Sequence, residues 1–460
     1  MLEGLEVSEI DFRTVKNEKR IDSEYYKKFY LSFFKNVNNI RPLSEFVSDG
    51  YRVVYENTQI LNKQDIAQDN YPFFLQATDL STPFIDTTNM KYVDAEEWDR
   101  YPKGRVKRGE LLIEVKGKAE KVSIVPDDFP ERTLISGSLF KLTVNGNISK
   151  YTLLCYLISK YGTAFKERFK TNLLISFINK PDLYRIPVPV FQKELNDQID
   201  SIFETIILDK KKSEELYLDA EKILLKELGL LNWQPNNDNT SIKRFIDFIV
   251  SGRFDAEFYQ PKYDELEAII KKYPNKTIAG IQTFNARGVQ PDYLDDGEIP
   301  VVNSKHILED GLDYDNFEHT TKGFLGSHER AKICYGDILI YTTGANIGRA
   351  QVYLKKEPAV ASNYVNILRV QGVNPVYLAI VLNSQVGRMQ TEKLCTGSAQ
   401  AELYPTDIEK FVVPILPDKT QQIIADYVKK SVSLRQQAKQ LLEDAKLKVE
   451  TAITGGVIIR

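Results

Sequence analysis

The sequence has few of the residues that build metal sites or disulfide frameworks. Its three cysteines (Cys155, Cys334 and Cys395) and three histidines are scattered over 460 residues, with no CxxC, HxH or HxxxH spacing. Structural metals and redox centres need such ligands at short spacing, so we expect no metal and no cofactor. A small, odd number of cysteines is also typical of a reducing cytoplasm.

Long apolar segments are absent as well. No apolar run approaches the roughly 18 residues of a membrane-spanning helix, and the opening segment Met1–Glu6 is acidic and polar, unlike a secretory leader. Hydrophobic residues make up 42% and charged residues 27% of the chain, as in ordinary globular proteins. We therefore expect a soluble cytoplasmic protein that does not bind membranes.

The motifs of several enzyme classes do not occur. There is no GxxxxGK[ST] loop for ATP-driven work, and no GxSxG or HExxH. The segment nearest to an amino-methyltransferase tetrad, Asn179–Asp182, lacks the tandem prolines. Glu114 and Lys116 follow an apolar run, as in some nucleases, but no suitable upstream aspartate accompanies them. We therefore expect a non-catalytic protein, with a nuclease as a third-ranked alternative.

The net charge is close to zero, with 61 basic and 64 acidic residues giving −3. Proteins that wrap nucleic acid without sequence preference are usually strongly basic, so the composition argues against that class. A sequence-specific reader can confine its basic residues to one face, and the charge of the whole chain does not exclude such a protein.

The chain carries an internal repeat. The pattern Arg-x-Asp-x-Glu-aromatic-Tyr occurs at Arg20–Tyr26 and again at Arg253–Tyr259, an offset of 233 residues. Further pairs follow in the same order at offsets close to 227, namely Gly109 and Gly336, Gly117 and Gly344, Ser136 and Ser362, and Pro187 and Pro414. A series of weak matches in one order predicts two copies of one module.

Each copy ends in a predicted long helix with coiled-coil spacing. The seam residues are Ile199, Ile202, Ile206, Leu216 and Ile223 in the first helix and Ile424, Val428, Ala438, Leu442 and Val449 in the second. The first seam lapses at Asp209 and Ser213. Helices of about 50 Å need a partner along their length, so we expect the two to pair with each other. Two unrelated amphipathic helices on local cores are the alternative.

Short β-type runs followed by short helices predict an α+β fold, with two pseudo-repeated α/β domains that are each followed by a long coiled-coil helix. The predicted strands are Phe73–Leu75, Leu111–Val115, Val122–Val125, Leu139–Val144, Ile299–Val302, Asp337–Tyr341, Ala350–Tyr353 and Tyr364–Val370. The predicted division is a first domain 1–190, a first long helix 191–232, a linker 233–241, a second domain 242–417, and a second long helix with the C-terminal tail 418–460. Gly229 is the predicted cap of the first helix.

Polar loops between these elements are candidates for contact with nucleic acid, because amide, hydroxyl and basic side chains bind phosphates and base edges. In the second half these candidates are Thr342, Thr343, Asn346 and Arg349 in one turn, Thr396, Ser398 and Gln400 in another, and Asn303, Lys305 and His306 after a strand. Their counterparts in the first half are Lys116, Lys118 and Lys121 and, near the second loop, Lys166, Arg168 and Lys170. An ordinary hairpin turn is the alternative for any one of them.

The ordered motifs resemble one known family. Arg253–Tyr263, Gly336 with Gly344 and Gly348, Thr396–Ser398, and Val413–Pro417 with Gln421 are similar to the type I restriction–modification DNA specificity subunit. The resemblance extends over nearly the whole chain as a tandem pair. In the first half Lys118-Ala-Glu replaces the second glycine motif, which puts sequence recognition by that domain in question.

This resemblance implies two target-recognition domains that each read half of a split double-stranded DNA sequence through the major groove. It implies that two long antiparallel coiled-coil helices separate these domains, set the gap between them and dock the methyltransferase subunits. Methylation, ATP hydrolysis and cleavage would belong to the methyltransferase and to the restriction and translocase partners. A scaffold of the same fold that no longer reads DNA, in an antiphage system, is the main alternative.

Overall fold

The computed structural model describes residues 6–56, 58–66, 70–171, 176–236, 238, 240–397 and 401–455. Its secondary structure mixes helix and sheet, as the sequence predicts. The chain forms two compact units, unit 1 (Met1–Leu208 with Gln437–Arg460) and unit 2 (Asp209–Gln436). The division falls inside both long helices, so each unit contains part of each.

The helices of unit 1 are α1 (Phe12–Glu18), α2 (Lys28–Asn36), α3 (Glu97–Arg100), α4 (Lys150–Ile158), α5 (Lys160–Arg168), α6 (Lys180–Tyr184) and the first part of α7 (Lys193–Glu227). Its strands are β1 (Ile40–Pro42), β2 (Val47–Tyr51), β3 (Ile60–Leu61), β4 (Phe73–Leu75), β5 (Leu80–Ser81), β6 (Phe84–Ile85), β7 (Lys91–Val93), β8 (Leu111–Glu114), β9 (Val122–Ile124), β10 (Thr133–Ile135), β11 (Leu139–Val144) and β12 (Pro187–Pro189).

The helices of unit 2 are α8 (Phe245–Ser251), α9 (Pro261–Ile270), α10 (Lys322–Ser327), α11 (Pro375–Asn383), α12 (Gln385–Leu394), α13 (Pro405–Ile408) and the first part of α14 (Asp418–Thr454). Its strands are β13 (Asn275–Thr277), β14 (Gln282–Arg287), β15 (Ile299–Val302), β16 (Glu318–Thr320), β17 (Lys332–Ile333), β18 (Ile338–Tyr341), β19 (Ala350–Val352), β20 (Ala359–Ala361), β21 (Val365–Val370) and β22 (Val412–Pro414). All eight predicted strands are present, each within a residue or two of its expected ends.

The two units share one strand order. An antiparallel sheet runs β2-β11-β8-β9 in unit 1 and β14-β21-β18-β19 in unit 2. A second sheet pairs β4 with β10 in parallel and with β7 antiparallel, as β15 pairs with β20 and β16. The second sheets differ in their fourth strand, which lies beside β7 in unit 1 and beside β20 in unit 2. A proline strand closes each unit by pairing with β1 or β13.

The repeated arginine motif makes the same contacts in both units. Arg20 forms a bidentate ion pair with Asp22 at 2.6 and 2.7 Å, and Arg253 forms one with Asp255 at 2.6 Å. Six residues beyond each arginine, a tyrosine hydroxyl donates to the carbonyl of that arginine. These residues are therefore local structural elements at the start of each unit.

The helix after each main antiparallel sheet is broken at a serine. Ser159 ends α4 and caps α5, and Ser384 does the same between α11 and α12. A Cβ on Gly162 would lie 2.1 Å from the carbonyl oxygen of Tyr156, so the second helix can fold back closely only with glycine there. A Cβ on Gly387 would likewise lie 2.2 Å from the carbonyl oxygen of Leu382.

The long helices are 35 and 37 residues long, against the predicted ranges 191–232 and 418–460. Gly229 has φ +67°, and the amide of Leu230 donates to the carbonyl of Leu225, which is a Schellman-type end. The predicted cap is thus confirmed. In the part of the chain that the structure describes, no helix has both the length and the apolar character of a membrane span.

Each unit buries residues from both long helices. The core of unit 1 includes Ile199, Phe203 and Ile206 of α7 and Ala438, Ala445, Val449 and Ile453 of α14. The core of unit 2 includes Ala220 and Leu224 of α7, Leu228 directly after this helix, and Ile424, Ala425 and Val428 of α14. Of the remaining predicted seam residues, Ile202, Leu216, Ile223 and Leu442 are half-buried.

The apparent lapse in the first seam is a buried polar contact within unit 2. Ser213 and Ser431 are both fully buried, their hydroxyl oxygens are 3.0 Å apart, and the Ser431 hydroxyl donates to the carbonyl of Ser213 at 2.8 Å. Small hydroxyl side chains that satisfy each other can occupy a helix seam without leaving a polar group unpaired.

Candidate nucleic-acid interface

The turn between β18 and β19 projects from the edge of the main sheet in unit 2. Its ends are held by hydrogen bonds from Tyr341 to Arg349 and from Gly348 to Tyr341, both 2.8 Å. Gly344 has φ +113° and Gly348 has φ +84°, a region that residues with a Cβ rarely adopt. A Cβ on Gly348 would also lie 2.4 Å from the Oγ1 of Thr391. The glycines therefore fix the path of this hairpin.

The four predicted contact residues of this turn are placed differently. Thr342 is fully buried and its hydroxyl donates to the carbonyl of Tyr364 at 2.8 Å, and Thr343 is also buried. Asn346 is exposed. Arg349 is half-buried, and its guanidinium donates to the Oδ1 of Asn346 at 3.0 Å and to the carbonyl of Ile307 at 3.3 Å. Asn346 and Arg349 thus form one polar group, whereas the two threonines support the turn.

The second predicted loop lies beside the first. The backbone of Glu402 bridges to Thr343 and also exchanges two hydrogen bonds with Thr396, at 2.7 and 2.9 Å. Thr396 is exposed. Ser398 and Gln400 lie outside the described residues. The structure therefore brings together two loops that are 47 or more residues apart in the sequence.

Two residues at this edge carry no signal in the sequence. The guanidinium carbon of Arg287 lies 4.5 Å from the centre of the Tyr404 ring, and the same group donates to the carbonyl of Leu403 at 3.1 Å. Tyr404 is exposed. They are 117 residues apart in the sequence, and no local pattern encodes their proximity.

The predicted cluster at Asn303–His306 is organised around Glu318. Asn303 donates to the Glu318 carboxylate at 2.7 Å, and Lys305 forms an ion pair with it. Burial acts to raise the pKa of Glu318, but hydrogen bonds from Lys305 and Asn303 outweigh it and lower that pKa. His306 is fully buried, and burial lowers its pKa. Lys305 is the exposed member of this cluster.

The corresponding hairpin of unit 1, between β8 and β9, is cationic. Lys116 and Lys118 are exposed, whereas Lys121 is half-buried and donates to the carbonyl of Ala77 at 3.1 Å. The carboxylate of Glu114 accepts the amides of Glu120 and Lys121 at 3.1 and 3.3 Å. Glu114 therefore closes this turn, and no group of three or more metal-ligating side chains occurs among the described residues.

The remaining cations predicted in unit 1 are largely covered. Lys166 is fully buried, donates to the carbonyl of Glu120 at 2.6 Å, and has a pKa that burial lowers to about 7. Arg168 is buried against aromatic rings, with its guanidinium 4.2 Å from the Tyr25 ring. Lys170 forms an ion pair with Glu167 and its side chain is 11% exposed. These three residues support the hairpin and the helix beneath it and do not extend the exposed surface.

Comparison with known proteins identifies the matching part of the chain. Residues 271–444 match the family model described as "Type I restriction modification DNA specificity domain". This stretch includes the whole main sheet of unit 2, its hairpin and the Thr396 loop. A comparison with curated proteins gives no significant match.

Several solved structures resemble the chain along most of its length. The type I restriction–modification S subunit from M. genitalium is 12% identical, with a TM-score of 0.37, covering 92% of this chain and 97% of that chain. The HsdS subunit from Thermoanaerobacter tengcongensis is 11% identical, with a TM-score of 0.28, covering 91% and 97%. A structure described by the complex assembly and conformational transition of the type I R-M system is 12% identical, with a TM-score of 0.29, covering 91% and 98%.

Proposed function

We propose that this chain, whose residues 271–444 match the type I restriction modification DNA specificity domain, is a DNA specificity subunit that reads a bipartite target with one unit for each half-site. The observation that carries the proposal is the specificity-domain match over residues 271–444. That stretch contains the exposed Asn346, the half-buried Arg349 that donates to it, and the neighbouring Thr396 loop. Amide, guanidinium and hydroxyl groups on one edge are the donors that read base edges in a major groove.

The shared strand order supports a second reader in unit 1. The β8–β9 hairpin occupies the same place in its sheet as the β18–β19 hairpin. Its exposed charged side chains are Lys116, Lys118 and Glu120, and the two lysines are suited to phosphate contact and offer less base discrimination. We therefore infer that the two half-sites are bound with different chemistry, the second with the greater sequence preference.

The long helices are suited to act as a spacer and as a docking surface. A helix of 35 residues is about 50 Å long, which exceeds the ~34 Å of one DNA turn. Leu208, Leu218 and Leu447 are 66%, 53% and 62% exposed on these helices. Exposed leucines beside the apolar seam favour packing of further helices, and we infer that the methyltransferase subunits dock here.

We infer that the chain supplies specificity while its partners supply chemistry. Methylation would come from the methyltransferase subunits, and ATP-dependent translocation and cleavage from the restriction subunit. The nuclease alternative needs Glu114 as a metal ligand, but its carboxylate is engaged by two backbone amides. The scaffold alternative predicts partner binding without any selected DNA sequence.

Methylome sequencing of the host with and without the gene tests this proposal. We expect methylation to disappear at one bipartite motif and at no other when the gene is deleted. Complementation with the Arg349→Ala variant should alter methylation at that motif only. Complementation with Arg244→Ala, which removes an exposed arginine at the start of α8 in unit 2, is the matched control and should restore it. Unchanged methylation after deletion, with partner genes expressed, would contradict the proposal and favour the scaffold.

A further inference from the structure

A tight turn in unit 2, Ile307–Leu312, contacts both the β18–β19 hairpin and the long helices. The amide of Leu308 donates to the carbonyl of Gly311 at 2.9 Å, and Ile307 bridges to Leu312. The turn follows the buried His306, whose carbonyl accepts the amide of Asp313 at 2.9 Å. Its base is therefore anchored in the second sheet.

On one side the turn holds the hairpin. The buried amide group of Gln351, in β19, donates to the carbonyls of Leu308 and Glu309 at 3.1 and 2.9 Å. Arg349 donates to the carbonyl of Ile307 at 3.3 Å. Asn346 and Arg349 also border a cleft of about 210 Å³. On that side these hydrogen bonds hold the hairpin to the turn.

On the other side the turn contacts both long helices. The Tyr217 hydroxyl of α7 donates to the carbonyl of Glu309 at 3.0 Å. The guanidinium of Arg435, in α14, forms an ion pair with Asp310, and the same guanidinium lies against Gly311. The helices thus reach the hairpin through one six-residue turn.

Tyr217 adds a second route to the same hairpin. Its hydroxyl accepts from the amide of Asn383 at 3.2 Å. Asn383 in turn accepts from the amide of Ala350 at 2.9 Å and donates to its carbonyl at 2.7 Å. Ala350 is the first residue of β19 and follows Arg349 directly.

We propose that the Ile307–Leu312 turn is a positioning element, which sets the place of Arg349 at its half-site according to the placement of α7 and α14. Tyr217, Asp310 and Arg435 are its positioning residues. Precise readout requires a side chain whose supports are themselves fixed by hydrogen bonds. The inference rests on the proposed function and assigns residues distant from DNA to its specificity.

Charge reversal tests the ion pair in the full-length chain. The unaltered protein first selects duplexes from a random-sequence pool. The affinity of each variant is then measured for the selected duplex and for duplexes in which one half-site is scrambled. The ratio of the two affinities is the discrimination at that half-site. Arg435→Asp places two carboxylates together. We expect it to lower discrimination at the half-site read by unit 2 by at least about tenfold, with the other half-site unchanged. Asp310→Arg should do the same.

Rescue separates positioning from folding. The double variant Asp310→Arg with Arg435→Asp restores an opposite pair, and we expect it to recover most of the missing discrimination. Arg244→Asp is the matched control, since it also places two carboxylates together, with Asp247 at the start of α8, and should leave discrimination at both half-sites unchanged. Tyr217→Phe keeps the ring and should lower discrimination about fivefold.

Each outcome bears on one proposal. If the unaltered protein selects no sequence, the proposed function fails. The positioning role is refuted if the unaltered protein selects a bipartite motif but Arg435→Asp leaves discrimination at both half-sites unchanged. It is also refuted if the double variant recovers none of the lost discrimination. In both cases the specificity function stands.

Discussion

The carboxylate of Glu110 lies 2.7 Å from the ammonium nitrogen of Lys141, and both side chains are buried. In unit 2 the carboxylate of Asp337 binds Arg369 in the same place, at 2.7 and 2.8 Å. Each acid follows a glycine with positive φ and also accepts a backbone amide three residues before it. The pair thus ties the start of β8 or β18 to the adjacent strand β11 or β21.

The two versions differ in exposure, and we expect a difference in stability to follow. Glu110→Gln leaves Lys141, which is 4% exposed, as an unpaired buried cation, and should lower the free energy of unfolding of unit 1 by about 3–5 kcal/mol. Asp337→Asn should lower that of unit 2 by about 1–2 kcal/mol, because the side chain of Arg369 is 41% exposed and can be hydrated.

The two tryptophans allow each unit to be followed separately. Trp98 lies in unit 1 and Trp233 in unit 2. Urea unfolding of each variant is followed by the fluorescence of one tryptophan, with the other replaced by phenylalanine. Equal losses in the two units would contradict the argument from burial.

Local patterns in the sequence predict the strands, the cap at Gly229 and the lengths of α7 and α14 closely. Alternation, glycine placement and helical spacing are properties of neighbouring residues, so a single sequence contains them. The burial of Lys166 and the union of the Thr396 loop with the β18–β19 hairpin depend on residues far apart in the chain. The pairing of Ser213 with Ser431 is of the same kind, and the sequence alone shows it as a break in the seam.

Lys166 should make the stability of unit 1 depend on pH. Burial lowers its pKa to about 7 from 10.5 in the unfolded chain. Between these values the unfolded state binds a proton that the folded state does not, so the free energy of unfolding rises with pH, by at most about 1.4 kcal/mol per pH unit. Below the lower value both states are protonated and the slope from this group vanishes.

The Lys166→Met variant isolates this effect, since it keeps a long side chain and removes the titrating group. Urea unfolding followed by Trp98 at several values between about pH 7.5 and 9.5 should show a smaller slope than in the unaltered protein. The same slope in both proteins would show that the ammonium group is as well solvated in the folded state as in the unfolded one.

The buried serine pair should show strong coupling. Ser431→Ala removes a donor to the carbonyl of Ser213 and leaves the Ser213 hydroxyl without this partner, at a cost of about 1–2 kcal/mol. Replacing both serines by alanine should cost less than the sum of the single replacements, because no hydroxyl is left buried alone. Unfolding followed by Trp233 measures all three variants, and strict additivity would contradict the coupling.

The exposed lysines of the β8–β9 hairpin should contribute to affinity without contributing to specificity. Replacing Lys116 and Lys118 by alanine should reduce the slope of log affinity against log salt by about 1 for each lysine–phosphate interaction that the variant removes, equally for all sequences. Lys222→Ala on α7 is the control, since it removes an exposed lysine from the long helix. An unchanged slope in the hairpin variant would show that this turn faces away from DNA.

Arg349, in contrast to these lysines, should contribute to the specificity of binding at one half-site. We expect Arg349→Ala to cost about 1–3 kcal/mol of discrimination at one half-site and to leave the other intact. This loss is measured with the full-length protein by competition between duplexes that carry the selected half-site and duplexes in which it is scrambled. Equal loss at both half-sites, or none, would refute the assignment of one half-site to each unit.

The core of unit 1 contains residues from both ends of the chain, because Ala438, Ala445, Val449 and Ile453 pack with its N-terminal sheet and helices. Unit 2, by contrast, is one continuous segment. During synthesis, therefore, unit 1 emerges from the ribosome before unit 2 but is the last to acquire its complete core. All residues of unit 2 have been synthesised before the part of α14 that unit 1 needs. A premature stop within the last turns of α14 damages the beginning of the protein and leaves its middle intact.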